Sequence, residues 1–183
     1  MKNLKKISIS HKDLFIYIRS GDIFIKPHPS YRQPPLCFYK NVIANYLFKN
    51  IYLISENKNN PVINELFKDY PNIIYNFNSL KNDISYLVNA YNFIGGASST
   101  FLHRMMELNN NLHFLWTFGF KSYPFRQKLK FKITNFYNIL NIRIFLMYSS
   151  KNYIKKMIIW KNTKEQIDLM INDNCPNSFI LIN

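Results

Sequence analysis

A chain of 183 residues has room for one domain with a substantial apolar core, and not for two full-sized α/β domains in tandem. Hydrophobic residues make up 48% of it and aromatics 17%, which excludes general disorder even though Asn and Lys are abundant. The 24 Lys+Arg against 10 Asp+Glu give a formal charge of +14, a balance that favours an anionic partner such as a nucleotide, a nucleic acid or an acidic membrane surface.

After a polar lead over residues 1–12, Leu14-Phe15-Ile16-Tyr17-Ile18 is a continuous apolar run, the pattern of a strand buried on both faces of a parallel sheet. Residues 19–35 carry Gly21, Pro27, Pro29, Pro34 and Pro35 and are expected to be irregular; Leu36, Tyr39, Ile43 and Leu47 then recur at helical spacing. The alternation continues with a strand at residues 51–54. A helix follows, opened by Asn60 as cap and Pro61 in its first turn, with Val62, Ile63, Leu66 and Phe67 on the inner face. A strand near residues 73–75, a helix through Ile84, Leu87, Val88 and Tyr91, and a strand at Asn92-Phe93-Ile94 come next. A helix over about residues 99–108 and a strand at residues 112–116 complete the series. Strands and helices alternating at this spacing predict an α/β fold, a doubly wound, Rossmann-like parallel sheet.

Residues 13–117 form the expected α/β core of a single domain, and residues 118–183 a basic C-terminal part. Between Glu107 and Glu165 there is no acidic residue, whereas Lys and Arg recur from Lys121 to Lys164. There Lys128, Lys130 and Lys132 alternate with Leu129, Phe131 and Ile133, suggesting a half-exposed strand with one basic face. Thr163 and Gln166 form a T-x-x-Q capping box ahead of a closing helix with Ile167, Met170 and Ile171. Cys37 and Cys175 stand far apart and in no metal-ligand spacing. They are read as free thiols, Cys37 in the core, in a reducing compartment. The N-terminus has no apolar signal region, and the most hydrophobic stretch, residues 139–148, is too short to span a bilayer. The expected location is cytoplasmic, with peripheral attachment at the inner membrane face.

In an open α/β sheet, ligands sit outside the carboxyl ends of the strands, so residues just after each strand are the informative ones. After the first strand, Arg19 leaves the sheet, Gly21 lets the backbone turn, and Asp22 is placed to fix the guanidinium. Such a group grips phosphate oxygens through paired charge-assisted hydrogen bonds, although an ordinary strand-end ion pair has the same spacing. After the second strand come Ser55 and Glu56, a carboxylate suited to ribose hydroxyls or a base edge, or simply a solvated loop residue. After the fourth, Gly95-Gly96-Ala97-Ser98-Ser99-Thr100 leads into a helix. That is either an anion site of backbone N–H and hydroxyl donors or a glycine turn with Ser98 as cap.

Several common chemistries are absent. There is no G-x-x-x-x-G-K-[ST], four glycines cannot supply a G-x-G-x-x-G fingerprint at any strand end, and no G-x-S-x-G elbow is present. His103 and Glu107, four apart on a presumed helix, are read as a local side-chain pair and not as half a metal site.

Taken together, Tyr17-Ile18-Arg19-Ser20-Gly21-Asp22 resembles the HxRxGD signature of the α-1,2-, α-1,6- and protein O-fucosyltransferases, with Tyr17 in place of the histidine. Gln33-Pro34-Pro35-Leu36-Cys37-Phe38-Tyr39 resembles the QPPLxFY that follows it in one branch of that group. Ser55-Glu56 and Ser98-Ser99-Thr100-Phe101 stand where its second and third donor motifs stand. The resemblance implies the nucleotide-binding half of a GT-B glycosyltransferase that takes the sugar of GDP-fucose, or another GDP-sugar, with inversion and without a metal. It implies that Arg19 neutralises the β-phosphate with Asp22 as its partner, that Tyr17, Gly21 and Ser98 lie in the donor site, that Ser99 and Thr100 donate to the phosphates, and that Ser55 and Glu56 lie at the nucleoside. It also implies a missing acceptor-binding lobe, so that the chain is expected to be a truncated gene product, one subunit of a split enzyme or an inactive remnant, and it implies a glycan or lipid-linked acceptor. The competing expectation is a non-enzymatic binder of polyanions acting through the basic, aromatic-rich C-terminal part, with an anionic membrane favoured over nucleic acid because no nucleic-acid fold signature accompanies it.

Overall fold

Five consecutive apolar residues open the fold because the first strand feeds two cores at once. In the computed structural model, which describes residues 8–76, 79–95, 100–119, 142–148, 150–176 and 178–182, strand β1 (Leu14–Tyr17) is buried along its whole length. Leu14, Ile16 and Ile18 enter one hydrophobic cluster, whereas Phe15 and Tyr17 enter another. Side chains alternate across a strand, so a strand covered on both faces has no position left for a polar residue.

The described elements run β1, a 3-10 turn (Gly21–Phe24), α1 (Leu36–Asn45), β2 (Ile51–Ile54), α2 (Pro61–Asp69), β3 (Ile74–Asn76), α3 (Leu80–Leu87) and β4 (Asn92–Gly95). They continue with α4 (Thr100–Leu108), β5 (Phe114–Gly119), β6 (Arg143–Tyr148), α5 (Lys151–Met157), α6 (Lys164–Asn172) and β7 (Ile180–Ile182). One sheet holds all the described strands, in the order β3-β2-β1-β4-β5-β6-β7. Pairing is parallel throughout except for β7, which lies antiparallel on β6. The α/β, doubly wound, Rossmann-like sheet expected from the sequence is therefore the fold observed, with the strand order of that class and one added edge strand. The first cluster lies under α1, α2, α5 and α6, and the second under α3 and α4, so the helices cover both faces.

Local signals held where they were strong. Asn60 caps α2, its side-chain oxygen accepting from the Val62 N–H, with Pro61 in the first turn. Thr163 and Gln166 form the reciprocal capping box of α6.

Three expectations are corrected. Residues 19–35 are not wholly irregular, because the 3-10 turn fits into the segment ahead of the prolines. Leu47 does not continue the apolar face of α1: the helix stops at Asn45, Tyr46 becomes extended, and Leu47 is fully exposed. Tyr46 and Phe48 bury their rings against Trp116 instead, which turns the chain back toward β2. Most consequentially, Cys37 and Cys175 are not free thiols. They form a disulfide that joins the first turn of α1 to the segment after α6, so the inference of a reducing compartment from unpaired cysteines loses its basis.

Beyond Gly119 the sequence signals were weakest, and β6, α5 and β7 were not anticipated. β6 and β7 extend the same sheet, α5 adds Tyr153 and Met157 to the first cluster, and β6 divides between the two, Met147 in the first and Ile144 in the second. The strand expected over residues 128–133 lies outside the described residues. Among the described residues, no helix is long and apolar enough to cross a membrane.

Candidate functional site

Between β1 and β4 the chain changes direction across the sheet: β2 and β3 build outward from one side of β1, and β4 to β7 from the other. In open α/β sheets the loops at such a switch point part and leave a crevice beyond the carboxyl ends of the strands. The registers place Tyr17 of β1 beside Ile54 of β2 and beside Gly95 of β4. The three strand ends singled out in the sequence are thus neighbours on one rim. Gly95 also permits a close approach there, since a Cβ on it would lie 2.7 Å from Leu102 of α4.

Arg19 stands on this rim, two residues beyond β1. One terminal amine donates to both Asp22 carboxylate oxygens, at 2.8 and 3.0 Å, and the guanidinium carbon lies 4.9 Å from the centre of the Tyr31 ring. The Asn60 side-chain amide donates to the Arg19 carbonyl at 2.9 Å, fixing the backbone as well. Asp22 is 61% exposed, so the pair contributes at most about 1 kcal/mol to stability and serves mainly to orient the guanidinium. Among the described residues the buried Arg19 Nε–H has no hydrogen-bond partner, an unusual state for a buried charged donor. Burial works against the Arg19 charge, but Tyr17, Asp22 and Tyr31 outweigh it and its pKa lies above the ordinary arginine value. The guanidinium is charged at every physiological pH.

Asn57 organises the loop beneath. Its side-chain oxygen accepts from the Ser20 hydroxyl at 2.7 Å, from the Gly21 N–H at 3.1 Å and from the Asn59 N–H at 3.0 Å. Ser20 in turn accepts from the Asn60 N–H at 2.9 Å. Ser20 and Asn60 are each 1% exposed, so this satisfied knot welds the β1 loop to the β2–α2 loop. Neither Ser20 nor Asn57 was a candidate from sequence. The abundance of Asn concealed Asn57, and the usable signal was its position three residues after the β2 strand.

Gly21 sits at φ +71, the left-handed region, and a Cβ there would fall 2.2 Å from Glu56 Oε2. The Glu56 carboxylate therefore rests on the glycine, close to the Arg19 loop. Gly21→Ala is expected to cost about 1–2 kcal/mol from the φ requirement alone. The exposed Glu56 side chain can swing aside, so Glu56→Ala should stay within about 0.5 kcal/mol of the parent and Gly21→Ala/Glu56→Ala should match Gly21→Ala. Thermal melts of the three variants check this; a double variant as stable as the parent would mean that the clash, not the backbone, sets the cost.

The other sequence candidates fall as follows. Tyr17 is 9% exposed, with its ring packed in the second cluster 5.8 Å from Phe101. Ser55 is buried and donates to the Asn57 carbonyl at 2.9 Å, shaping its own turn. Thr100 opens α4 and is exposed, whereas Ser98 and Ser99 lie outside the described residues. The second residue of the presumed histidine pair, Glu107, pairs with Arg104. Among the described residues, one group of metal-ligating side chains comes together, Cys37, Asp173 and Cys175, and its two sulfurs are bonded to each other.

The loop carrying Arg19 is held from behind by the C-terminal part. Trp160 Nε1 donates to the Ile23 carbonyl at 3.0 Å and the Asn162 side-chain amide to the Phe24 carbonyl at 2.8 Å, while the buried Tyr153 hydroxyl donates to the Gln33 carbonyl. Comparison of the chain with models of known protein families, with curated proteins and with solved structures finds no match.

Proposed function

We propose that the β1–β4 crevice binds the diphosphate of a nucleotide sugar, GDP-fucose or another GDP-sugar, and that the domain is the donor-binding half of a fucosyltransferase-like GT-B enzyme. The sugar passes with inversion to a glycan or lipid-linked acceptor. The observation that carries this reading is the Arg19 guanidinium, held by Asp22 and Tyr31 at the switch point of a Rossmann-like sheet, its buried Nε–H without a partner among the described residues. The likeness of residues 17–22 and 33–39 to the fucosyltransferase signatures supports the choice of donor.

As the sugar–oxygen bond breaks, negative charge builds on the β-phosphate, and a preoriented guanidinium stabilises it without reorganising. Arg19 takes that role with Asp22 as its positioning partner, and no metal is called for. Thr100, which opens α4, and Ser99, the residue before it in the sequence, donate to the phosphates, and Glu56 meets the nucleoside. Acceptor binding falls to a separate lobe or subunit. The reading sets the domain at the inner face of a membrane, beside a lipid-linked acceptor.

Thermal shift with GDP, UDP, ADP and a short oligonucleotide, each with and without Mg²⁺, tests the proposal. GDP at a hundred times its dissociation constant stabilises by about 2.7 kcal/mol, a rise of about 5–10 °C for a domain of this size. The rise is expected to be selective for GDP, indifferent to Mg²⁺ and abolished in Arg19→Ala. An equal response to all three nucleotides, or a full GDP response in Arg19→Ala, would overturn it. Stabilisation by the oligonucleotide alone would select the polyanion-binding reading.

A further inference from the structure

We infer that the turn between α5 and α6, carrying Ile158 and Ile159 among lysines, is a docking surface for an anionic lipid bilayer beside the candidate donor site. This deepens the proposed reading by naming the surface that brings a lipid-linked acceptor to the crevice, and its physical basis is separate from that reading.

Ile158 is 51% exposed and Ile159 46%, two adjacent large apolar side chains turned to solvent. Their exposure is built in. The Gln166 side-chain amide donates to the Lys156 and Ile159 carbonyls at 2.9 and 2.7 Å, and its oxygen accepts from the Lys161 N–H at 2.9 Å. The flanking residues Met157 and Trp160 are buried at 0 and 1% exposure. Two anchors thus point inward and the two isoleucines between them point out, from a turn with little freedom to collapse.

The turn is strapped onto the loop that follows Arg19. Arg32 Nε donates to the Ile158 carbonyl at 3.2 Å, and the Trp160 N–H donates to the Pro29 carbonyl at 3.3 Å. That loop presents Ile25, 71% exposed, and Lys26, also exposed. The surface therefore borders the rim that carries the Arg19 guanidinium.

Its charge selects the partner. Residues 151–165 contain five lysines and one glutamate, a net of +4, and all five lysines are exposed. The glutamate, Glu165, pairs with Lys156 at 2.7 Å. Asp168, exposed on α6, is the next acidic residue along the chain. Basic residues around projecting aliphatic side chains suit a bilayer of anionic lipid: lysines meet the headgroups and isoleucines enter the acyl boundary. Single-stranded nucleic acid fits less well, because bases stack on open aromatic faces and the aromatics of this segment, Tyr153 and Trp160, are both buried.

Flotation with phosphatidylcholine vesicles, with and without phosphatidylglycerol, tests the surface. The full chain is expected to float with the phosphatidylglycerol vesicles, to be released by high salt, and to ignore pure phosphatidylcholine. Ile158→Ser/Ile159→Ser should lower partitioning about tenfold, and Lys155→Gln/Lys161→Gln about thirtyfold. All four side chains are exposed, so unchanged melting curves and an unchanged GDP-induced thermal shift are expected in both variants. A loss of vesicle binding with the GDP shift intact then separates this surface from the donor site. No flotation at low salt, or flotation unaffected by the isoleucine pair, overturns the inference. An oligonucleotide that binds through the same lysines and displaces the vesicles without regard to the isoleucines overturns it in favour of nucleic acid.

Discussion

Trp160→Ala is expected to destabilise the protein by about 3–5 kcal/mol, the range for truncating a buried aromatic residue, and to lower the melting temperature by roughly 6–20 °C. The indole is 1% exposed and packs edge-on against Phe24 with ring centres 5.5 Å apart. Its Nε1–H also satisfies the Ile23 carbonyl, so truncation leaves both a cavity and a buried acceptor without a partner. Trp160→Phe separates the two effects: it refills most of the volume and should cost only about 1–3 kcal/mol, the penalty of the orphaned carbonyl. Because Ile23 and Phe24 belong to the 3-10 turn that follows Arg19, Trp160→Ala should also weaken the GDP-induced thermal shift although Arg19 is untouched. Chemical denaturation of the two variants gives the stabilities directly. A Trp160→Phe variant as unstable as Trp160→Ala would assign the loss to the hydrogen bond and not to packing.

Reduction of the Cys37–Cys175 disulfide is expected to cost about 2–5 kcal/mol, because the bond closes a long loop in the unfolded chain. The two residues are 138 apart in sequence. The matching fall in melting temperature is roughly 4–20 °C for a domain of this size. In the folded state the bond ties the chain after α6 to α1, an attachment otherwise made by the Asn41 side-chain amide on the Pro176 carbonyl at 3.4 Å and by Phe38 against Phe179 at 6.4 Å. Cys37→Ser/Cys175→Ser should melt with the reduced parent, and reductant should leave the double variant unchanged. Thiol titration of the oxidised, denatured parent should find no free cysteine. Two titrating thiols in that sample would remove the bond from the account of stability.

Much of the fold was legible in the sequence because its signals are short-range. A five-residue apolar run reads as a strand buried on both faces, since side-chain alternation leaves no polar position. Asn60-Pro61 and Thr163 with Gln166 read as helix starts because the groups that cap a helix lie within three residues of one another. Leu47 misled because helical spacing persists in the sequence after the backbone has turned, and only the stacking of Tyr46 and Phe48 on Trp116 shows where it stops. In the site, Arg19, Gly21, Asp22 and Glu56 were visible as residues following strands. Asn57 was not, because a chain rich in Asn gives no contrast to the one that accepts three hydrogen bonds.

The amino-acid sequence by itself determined the strands and helices from β1 to β5, the closing helix α6, the class of the sheet and the Arg19–Asp22 pair, all set by neighbours a few positions apart. The tertiary structure alone decided which strand ends meet, through the registers Tyr17 with Ile54 and Tyr17 with Gly95. It alone set Trp160 beneath Ile23, 137 residues away, and brought Cys37 to Cys175. Periodicity records which side of an element is apolar, and an apolar face is satisfied by any apolar neighbour. The choice among neighbours is made only when the sheet closes and each buried donor must find its acceptor.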